Sequence, residues 1–305
     1  MPQKATVKQD YHNSRFDKWF KTNILDLPQS LIEKILRTNK VKVNRKKVKS
    51  SYRVQSGDII EIYDLSKFKI TRRAKIIKYK PSRKEVDLYD DYIIENNDNF
   101  VVINKPRGIA VQAGTKSFRN IIDVLKDSKY FENSKPYIVH RLDKETSGVL
   151  IVAKTREYAQ LFTSLFRIRK IHKTYIALTH GKISKNIGTL KDDLVTFENG
   201  KKNIQKAISH IKLIKTSSNF SYVELNPITG RKHQLRKQLY NIGNPIVGDD
   251  KYFINKRADK IKIKNQNLLL HAYKIKFMIN NIKYNFKAKY DDQFENFIKK
   301  NFKSY

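Results

Sequence analysis

An aspartate held between two cations is where chemistry first becomes legible in this sequence. His140-Arg141-Leu142-Asp143-Lys144-Glu145-Thr146-Ser147-Gly148 runs straight into the apolar Val149-Leu150-Ile151-Val152-Ala153. Arg141 and Lys144 favour the ionised form of the Asp143 carboxyl, and a carboxylate kept ionised can act as a nucleophile. Thr-Ser-Gly has turn chemistry and the apolar run reads as a buried strand, so the pattern places Asp143 on a loop at a sheet edge with a rigid support behind it. Taken alone, an Arg-x-Asp-Lys loop is more often a surface salt-bridge cluster.

Three other stretches carry candidate groups, each with a plainer reading beside it. Asn104-Lys105-Pro106 ends an apolar run and leads into the glycine-bearing Arg107–Gly114. Turn formers make that loop scaffold first, with Lys105 and Arg107 as candidate phosphate contacts. Tyr175 lies in the strand-like His172-Lys173-Thr174-Tyr175-Ile176-Ala177-Leu178. Aromatic residues in strands are mostly core, and the ring with its hydroxyl is the candidate group here. In Thr229-Gly230-Arg231-Lys232-His233-Gln234-Leu235-Arg236 a strand end meets a helical stripe, which sets Arg231 near a helix amino terminus, while His233 is as readily structural as chemical.

The elements that must position these groups follow from periodicity. Phe16, Trp19, Phe20 and then Leu31, Ile32, Ile35, Leu36 have helical spacing, broken at Leu27-Pro28. Val41-Lys42-Val43 and Lys47-Val48-Lys49 flank Asn44-Arg45 as a hairpin, and Ser56-Gly57-Asp58 introduces a strand at Ile59 to Ile62. Residues 1 to 14 are polar and are expected to be disordered. Arg15, Lys18, Arg37, Lys42, Arg45, Lys46 and Lys47 give this module a phosphate-tracking face. A basic linker over 66–90 follows, with no sustained apolar period. Beyond it, short apolar runs predict strands at 92–94, 100–103, 137–139, 149–153, 174–178, 220–225, 268–273 and 284–286. Helical stripes are fewer, at Ile121–Leu125, Tyr158–Leu165, Leu235–Leu239 and Phe294–Phe297. Strands outnumber helices, so the larger part is expected to be an α+β domain on a mixed, largely antiparallel sheet with flanking helices.

Composition narrows the partners. With 64 Lys plus Arg against 29 Asp plus Glu, the chain carries a net charge of +35 over its 305 residues. Self-repulsion of that size asks for a polyanion, nucleic acid before an anionic membrane surface. Many Lys, Ile and Asn codons are AT-rich, so genome composition is a second source of the lysine excess. The length gives two domains as the default. The absence of cysteine rules out disulfides, thiolate zinc sites and a cysteine nucleophile. The opening MPQKATVKQDYHNSRF lacks an apolar leader region, and no stretch reaches the length of a membrane span, which predicts a cytoplasmic protein.

HRLDKETSGVLIVAK, residues 140 to 154, resembles the signature of the RluA-type pseudouridine synthases. ENNDNFVVINKPRGIAVQAG, HKTYIAL, NPITGRKHQLR and LLLHA match further family blocks in the same order. RFDKWFK, SLIEKILRTNKVKVNRKKVK and VQSGDIIEI are similar to an S4 RNA-binding domain. The resemblance implies an S4-like module over 15–65 and a pseudouridine synthase domain over 91–305. It implies Asp143 as the catalytic residue, nucleophile or base, with Tyr175 facing it and Arg231 paired to it, and Arg141 filling the vacated stack or gripping phosphate. No metal or cofactor is demanded. The implied substrate is large-subunit ribosomal RNA, as in the RluC group, acted on by a monomer with no obligate protein partner and no membrane. A non-catalytic ribosome-assembly factor and a tRNA-modifying enzyme are the alternatives. Two positions depart from the pattern: Gln238, where many relatives have His, and Tyr252-Phe253, where they have Tyr-Gly.

Overall fold

Helical spacing at the amino-terminal end produces two short helices packed on small sheets. The computed structural model describes residues 2–63, 79–114, 118–198, 201–253 and 266–302, and the chain divides into units Met1–Ile76 and Ile77–Tyr305. The first unit runs β1 (Gln3–Thr6), β2 (Ser14–Arg15), α1 (Phe16–Asn23), α2 (Gln29–Arg37), β3 (Val41–Val43), β4 (Arg53–Val54) and β5 (Ile59–Ile62). Phe16, Trp19, Phe20, Ile32, Ile35 and Leu36 turn inward on Val41, Val43 and Ile60, as their spacing requires. Asn44 and Arg45 both have positive φ and make the tight turn, with Val43 and Lys46 exchanging backbone hydrogen bonds.

Two expectations for this unit are overturned. The second hairpin arm is not a strand: β3 pairs with β5, aligning Val43 with Ile60. Nor are the first residues disordered, because β1 adds to the other edge of β5, matching Gln3 to Ile62.

The second unit contains α3 (Arg83–Leu88), β6 (Ile93–Asn96), β7 (Phe100–Lys105), α4 (Ile121–Lys126), β8 (Tyr137–Ile138), β9 (Ser147–Ala153), α5 (Arg156–Arg167), β10 (His172–His180), β11 (Thr189–Glu198), β12 (Lys201–Thr216), β13 (Phe220–Pro227), α6 (Gln234–Asn241), β14 (Leu270–Ile279), β15 (Ile282–Lys287) and α7 (Asp292–Asn301). Its strands form one ten-stranded sheet in the order β11-β12-β13-β10-β14-β9-β7-β6, with β15 on β14 and β8 on β9. Only the β14–β9 pairing among these is parallel, so the sheet is mixed and largely antiparallel, as anticipated.

Alternation along the central strands sorts side chains to two faces. Val101, Ile103, Leu150 and Val152 pack with α4 on one side, while Phe100, Val102, Val149 and Ile151 pack against Phe162 of α5 on the other. A strand buried on both faces needs the unbroken apolar run seen in the sequence. Phe162 meets Phe100 and Phe277 edge-on, with ring centroids 5.4 and 5.3 Å apart, and each such burial contributes roughly 1.5–3 kcal/mol.

The expected linker is only partly a connector. Residues 66–78 of it lie outside the described residues, but 83–88 form α3, capped by Ser82, and Val86 and Tyr89 are buried in the α4-side core. The long β11–β12 hairpin was not anticipated at all.

Candidate active site

The segment from β8 to β9 alternates, and the alternation decides what each residue of the Asp143 loop does. His140 is enclosed, its Nε2 accepting the backbone N–H of Ile151 at 2.9 Å and its ring lying on Phe166 at 4.7 Å. β14 reaches β9 at Ser147 and Gly148, and β8 pairs with it at Val152 and Ala153, so the N–H between them needs this acceptor. Burial pushes the imidazole down to about 3, which keeps it neutral. Leu142 is buried in the core and Arg141 is exposed. Asp143 is left half-buried at the end of an interior strand, not at the outer edge of the sheet.

The loop is tied at several points. Asp143 O accepts the Thr146 N–H at 3.1 Å, and Lys144 O accepts that of Gly108 at 2.9 Å. Gly148 has φ +111, and a Cβ there would lie 2.3 Å from Ala272 O, so only glycine lets β9 and β14 approach this closely.

Lys105 does not contact solvent. It is fully buried, and its ammonium donates to Pro106 O at 2.8 Å, Ile109 O at 3.0 Å and Lys144 O at 3.2 Å. Burial lowers it to about 7, with Glu145 and Asp143 acting in the opposite direction. Arg107 is likewise occupied, ion-paired to Asp291 and directed at Leu268 O and Gln293. The expectation that these two meet phosphate fails because both turn inward to hold loops.

A cavity of about 650 Å³ opens over Asp143, lined among others by Arg141, Lys173, Tyr175, Arg231, His233 and Arg236. That is a small-ligand volume, for which roughly 300–1,000 Å³ is usual. Tyr175 on β10 is half-buried at its wall. Burial first, then the charge of Asp143, pushes its hydroxyl well above the ordinary value, so it stays protonated and able to donate.

Arg231 lines the cavity but does not pair with Asp143. Its Nε donates to Lys206 O at 3.2 Å, and its backbone N–H to Gln234 Oε1 at 3.0 Å. The group that approaches the aspartate is His233, whose Nε2 lies 3.7 Å from Asp143 Oδ1. His233 sits at the start of α6 with φ +54, a left-handed backbone that swings the ring inward. Its Nδ1 is 2.9 Å from the Tyr252 hydroxyl. Burial lowers His233, Asp143 opposes that shift, and Arg236, Lys251 and Lys232 reinforce it. A neutral ring accepting from Tyr252 at Nδ1 carries its proton on Nε2, the tautomer that avoids setting a lone pair against the carboxylate.

Tyr252 is placed by a buried ion pair. Arg236 grips Asp249 through Nε and Nη2, each at 2.7 Å, and Asp249 also accepts the backbone N–H groups of Lys251 and Tyr252 at 2.9 Å. The guanidinium lies 5.1 Å from the Tyr252 ring centre. Gln238 fits its place, fully buried and bonded to Ser209, Leu190 O and Ala207 O. Phe253 packs on His180 at 5.3 Å.

The other basic residues read from the sequence lie in the first unit. Lys18, Arg37, Arg45, Lys46 and Lys47 are exposed. Lys42 lies over the Tyr63 ring at 5.4 Å, Lys47 reaches Arg37 O at 3.3 Å, and Arg15 is ion-paired to Asp17 at 2.6 Å. Asp17 and Glu33 put acid beside the helical part of the basic face.

Residues 99–241 match the family model described as RNA pseudouridylate synthase. The chain is 37% identical over 257 residues to ribosomal large subunit pseudouridine synthase C of Rickettsia felis, covering 79% of this chain and 82% of that protein. The protein of the same name from Vibrio vulnificus is 31% identical, with 89% of this chain and 87% of that one covered. Among solved structures, human RNA pseudouridylate synthase domain containing 4 superposes with a TM-score of 0.59 at 27% identity, over 70% of this chain and 94% of that one.

Proposed function

The chain belongs to the RNA pseudouridylate synthase family, and we propose that it isomerises uridines of large-subunit ribosomal RNA to pseudouridine in the cavity over Asp143. The relatives named above carry the large-subunit designation. One observation carries the assignment of the site. Asp143 and Tyr175 face a single cavity of nucleotide size whose other charged lining is cationic: Arg141, Arg167, Arg169, Lys173, Arg231, Lys232 and Arg236.

The reaction breaks the bond between N1 and C1′, turns the uracil in place and joins C5 to C1′. A proton leaves C5 and one is gained at N1, with no net oxidation. Asp143 begins it at the ribose, as nucleophile or as base. The uridine must first leave its stack, which costs a few kcal/mol, and the Tyr175 ring replaces part of that stacking while its hydroxyl remains a donor. Arg141 at the mouth takes the vacated stack or a phosphate. Arg231 acts as a contact to the RNA backbone instead of a partner to the aspartate.

The first unit serves as an S4-like RNA-binding module, supported by its helix pair, its short sheets and the exposed Lys18, Arg37, Arg45, Lys46 and Lys47. Engagement of about six phosphates would lower RNA affinity roughly 10³-fold between about 50 and 200 mM salt. Salt-insensitive binding in a filter assay would remove this role.

Chemical labelling of pseudouridine across total RNA, from cells with and without the protein, tests the substrate. At least one large-subunit uridine should lose its label. An unchanged large-subunit profile rejects the assignment, and a loss confined to tRNA moves the substrate there.

His233 and Tyr252 give a second prediction. Tyr252→Phe removes the hydrogen bond that fixes the His233 tautomer, and His233→Ala removes the ring itself. Single-turnover rates should fall by about tenfold for His233→Ala, equivalent to about 1.4 kcal/mol, and less for Tyr252→Phe, with RNA affinity within twofold. Unchanged rates in both would leave His233 without a part in holding Asp143.

A further inference from the structure

Two lysines of the catalytic unit are withdrawn from solvent, Lys105 fully and Lys173 in part, and they are treated in opposite ways. Lys105 has a carbonyl for every proton of its ammonium. Lys173 has none: among the described residues no hydrogen bond or ion pair reaches its Nζ, although the residue is half-buried. Burial lowers its basicity. An ammonium stripped of water without a counter-charge costs free energy. That cost is offset when an anion arrives.

The surroundings define which anion fits. Lys173 lines the cavity, and its Nζ lies across from Gly230, 4.0 Å from where a Cβ on that residue would stand. Arg167, Arg169 and Lys232 stand on the same lining, and the one acidic residue on it is Asp143. Base edges offer neutral carbonyls, for which such a concentration of positive charge is unnecessary; a phosphate matches it.

Position on the strand supplies the register. Lys173 and Tyr175 are alternate residues of β10 and so project from one face, roughly 6.5–7 Å apart along the strand. A base stacked on the Tyr175 ring therefore has its own backbone within reach of the ammonium. Resting on the function proposed above, we infer that Lys173 is a phosphate subsite, which takes the backbone phosphate next to the everted uridine and so sets how deeply that nucleotide enters.

Mononucleotides test this without knowledge of the target sequence. Uridine, 5′-UMP and 3′-UMP are titrated against the full chain by ligand-observed NMR, for the native protein, Lys173→Met and Lys173→Arg, with thermal melts to establish that each variant is folded. One UMP isomer should bind the native protein about tenfold more tightly than uridine. Lys173→Met should remove most of that advantage while leaving uridine affinity within twofold, and Lys173→Arg should retain it. Equal binding of UMP and uridine to the native protein, an advantage that survives in Lys173→Met, or no binding of any of the three at millimolar concentration overturns the subsite. The reaction assignment fails separately: an unchanged pseudouridine map with the expected UMP pattern would leave a nucleotide-phosphate site whose chemistry is something else.

Discussion

Asp143→Asn yields a protein that folds and holds RNA but makes no pseudouridine. The substitution keeps the shape of a half-buried side chain that His233 Nε2 approaches to 3.7 Å, so little packing is lost. It removes the only acid on the cavity lining among the described residues and with it the attacking or proton-accepting group. Activity should drop by about three orders of magnitude or more, as for other residues that act at the reacting atoms. RNA affinity should stay within severalfold, or rise slightly, because a negative charge facing phosphates has gone. Product is measured by chemical labelling of pseudouridine and affinity by filter binding on the same preparation. A variant that keeps a tenth of native activity would end the assignment of Asp143.

The same residues show where sequence is a good guide and where it is not. His140 to Ala153 is locally determined: a turn cluster followed by an unbroken apolar run can hardly be anything but a loop feeding a doubly buried strand. Lys105 was a misreading of parity. Val101, Ile103 and Lys105 are alternate residues of β7, and the first two are core, so alternation already pointed Lys105 inward. Its charge argued for solvent, and the lysine resolved the conflict by finding three carbonyls. Arg107 offered no such signal, since Asp291 lies 184 residues further on. The contact of His233 with Asp143 depends on one left-handed residue ahead of α6, and a backbone reversal of that kind leaves no trace in side-chain type. Arg231, expected on the aspartate, instead donates from Nε to Lys206 O of β12. In the first unit, the polar strand Gln3–Thr6 has no periodicity of its own and exists because β5 has a free edge. The β11–β12 hairpin was missed although Asn199-Gly200 is a strong turn signal, because charged residues interrupt its alternation and leave Val195 and Ile204 exposed opposite one another.

Lys105→Met should be the most damaging substitution outside the cavity. The methionine keeps most of the volume but donates nothing, and Pro106, Ile109 and Lys144 lose a buried donor to their carbonyls. Lys144 O retains the Gly108 N–H; the other two have no second donor among the described residues. Leaving a buried polar group unpaired costs about 1–3 kcal/mol, so a total near 3–5 kcal/mol is expected. For a chain of this size that lowers Tm by roughly 6–20 °C. Lys144 follows Asp143 directly, so the rate should fall even at temperatures where the variant is folded. The pH dependence separates this role from simple packing. The folded protein releases the Lys105 proton near pH 7, whereas the unfolded chain keeps it to about 10.5. Between those limits the unfolded state holds more protons, so native stability should gain with rising pH from this group, and below about 7 the dependence should vanish. Lys105→Met lacks that gain, and the difference in Tm between the two proteins should widen from pH 7 towards pH 9. A difference that is small would mean the Lys105 side chain is not what holds the Asp143 loop in place, and a large difference constant across that range would mean Lys105 keeps its proton in the folded protein.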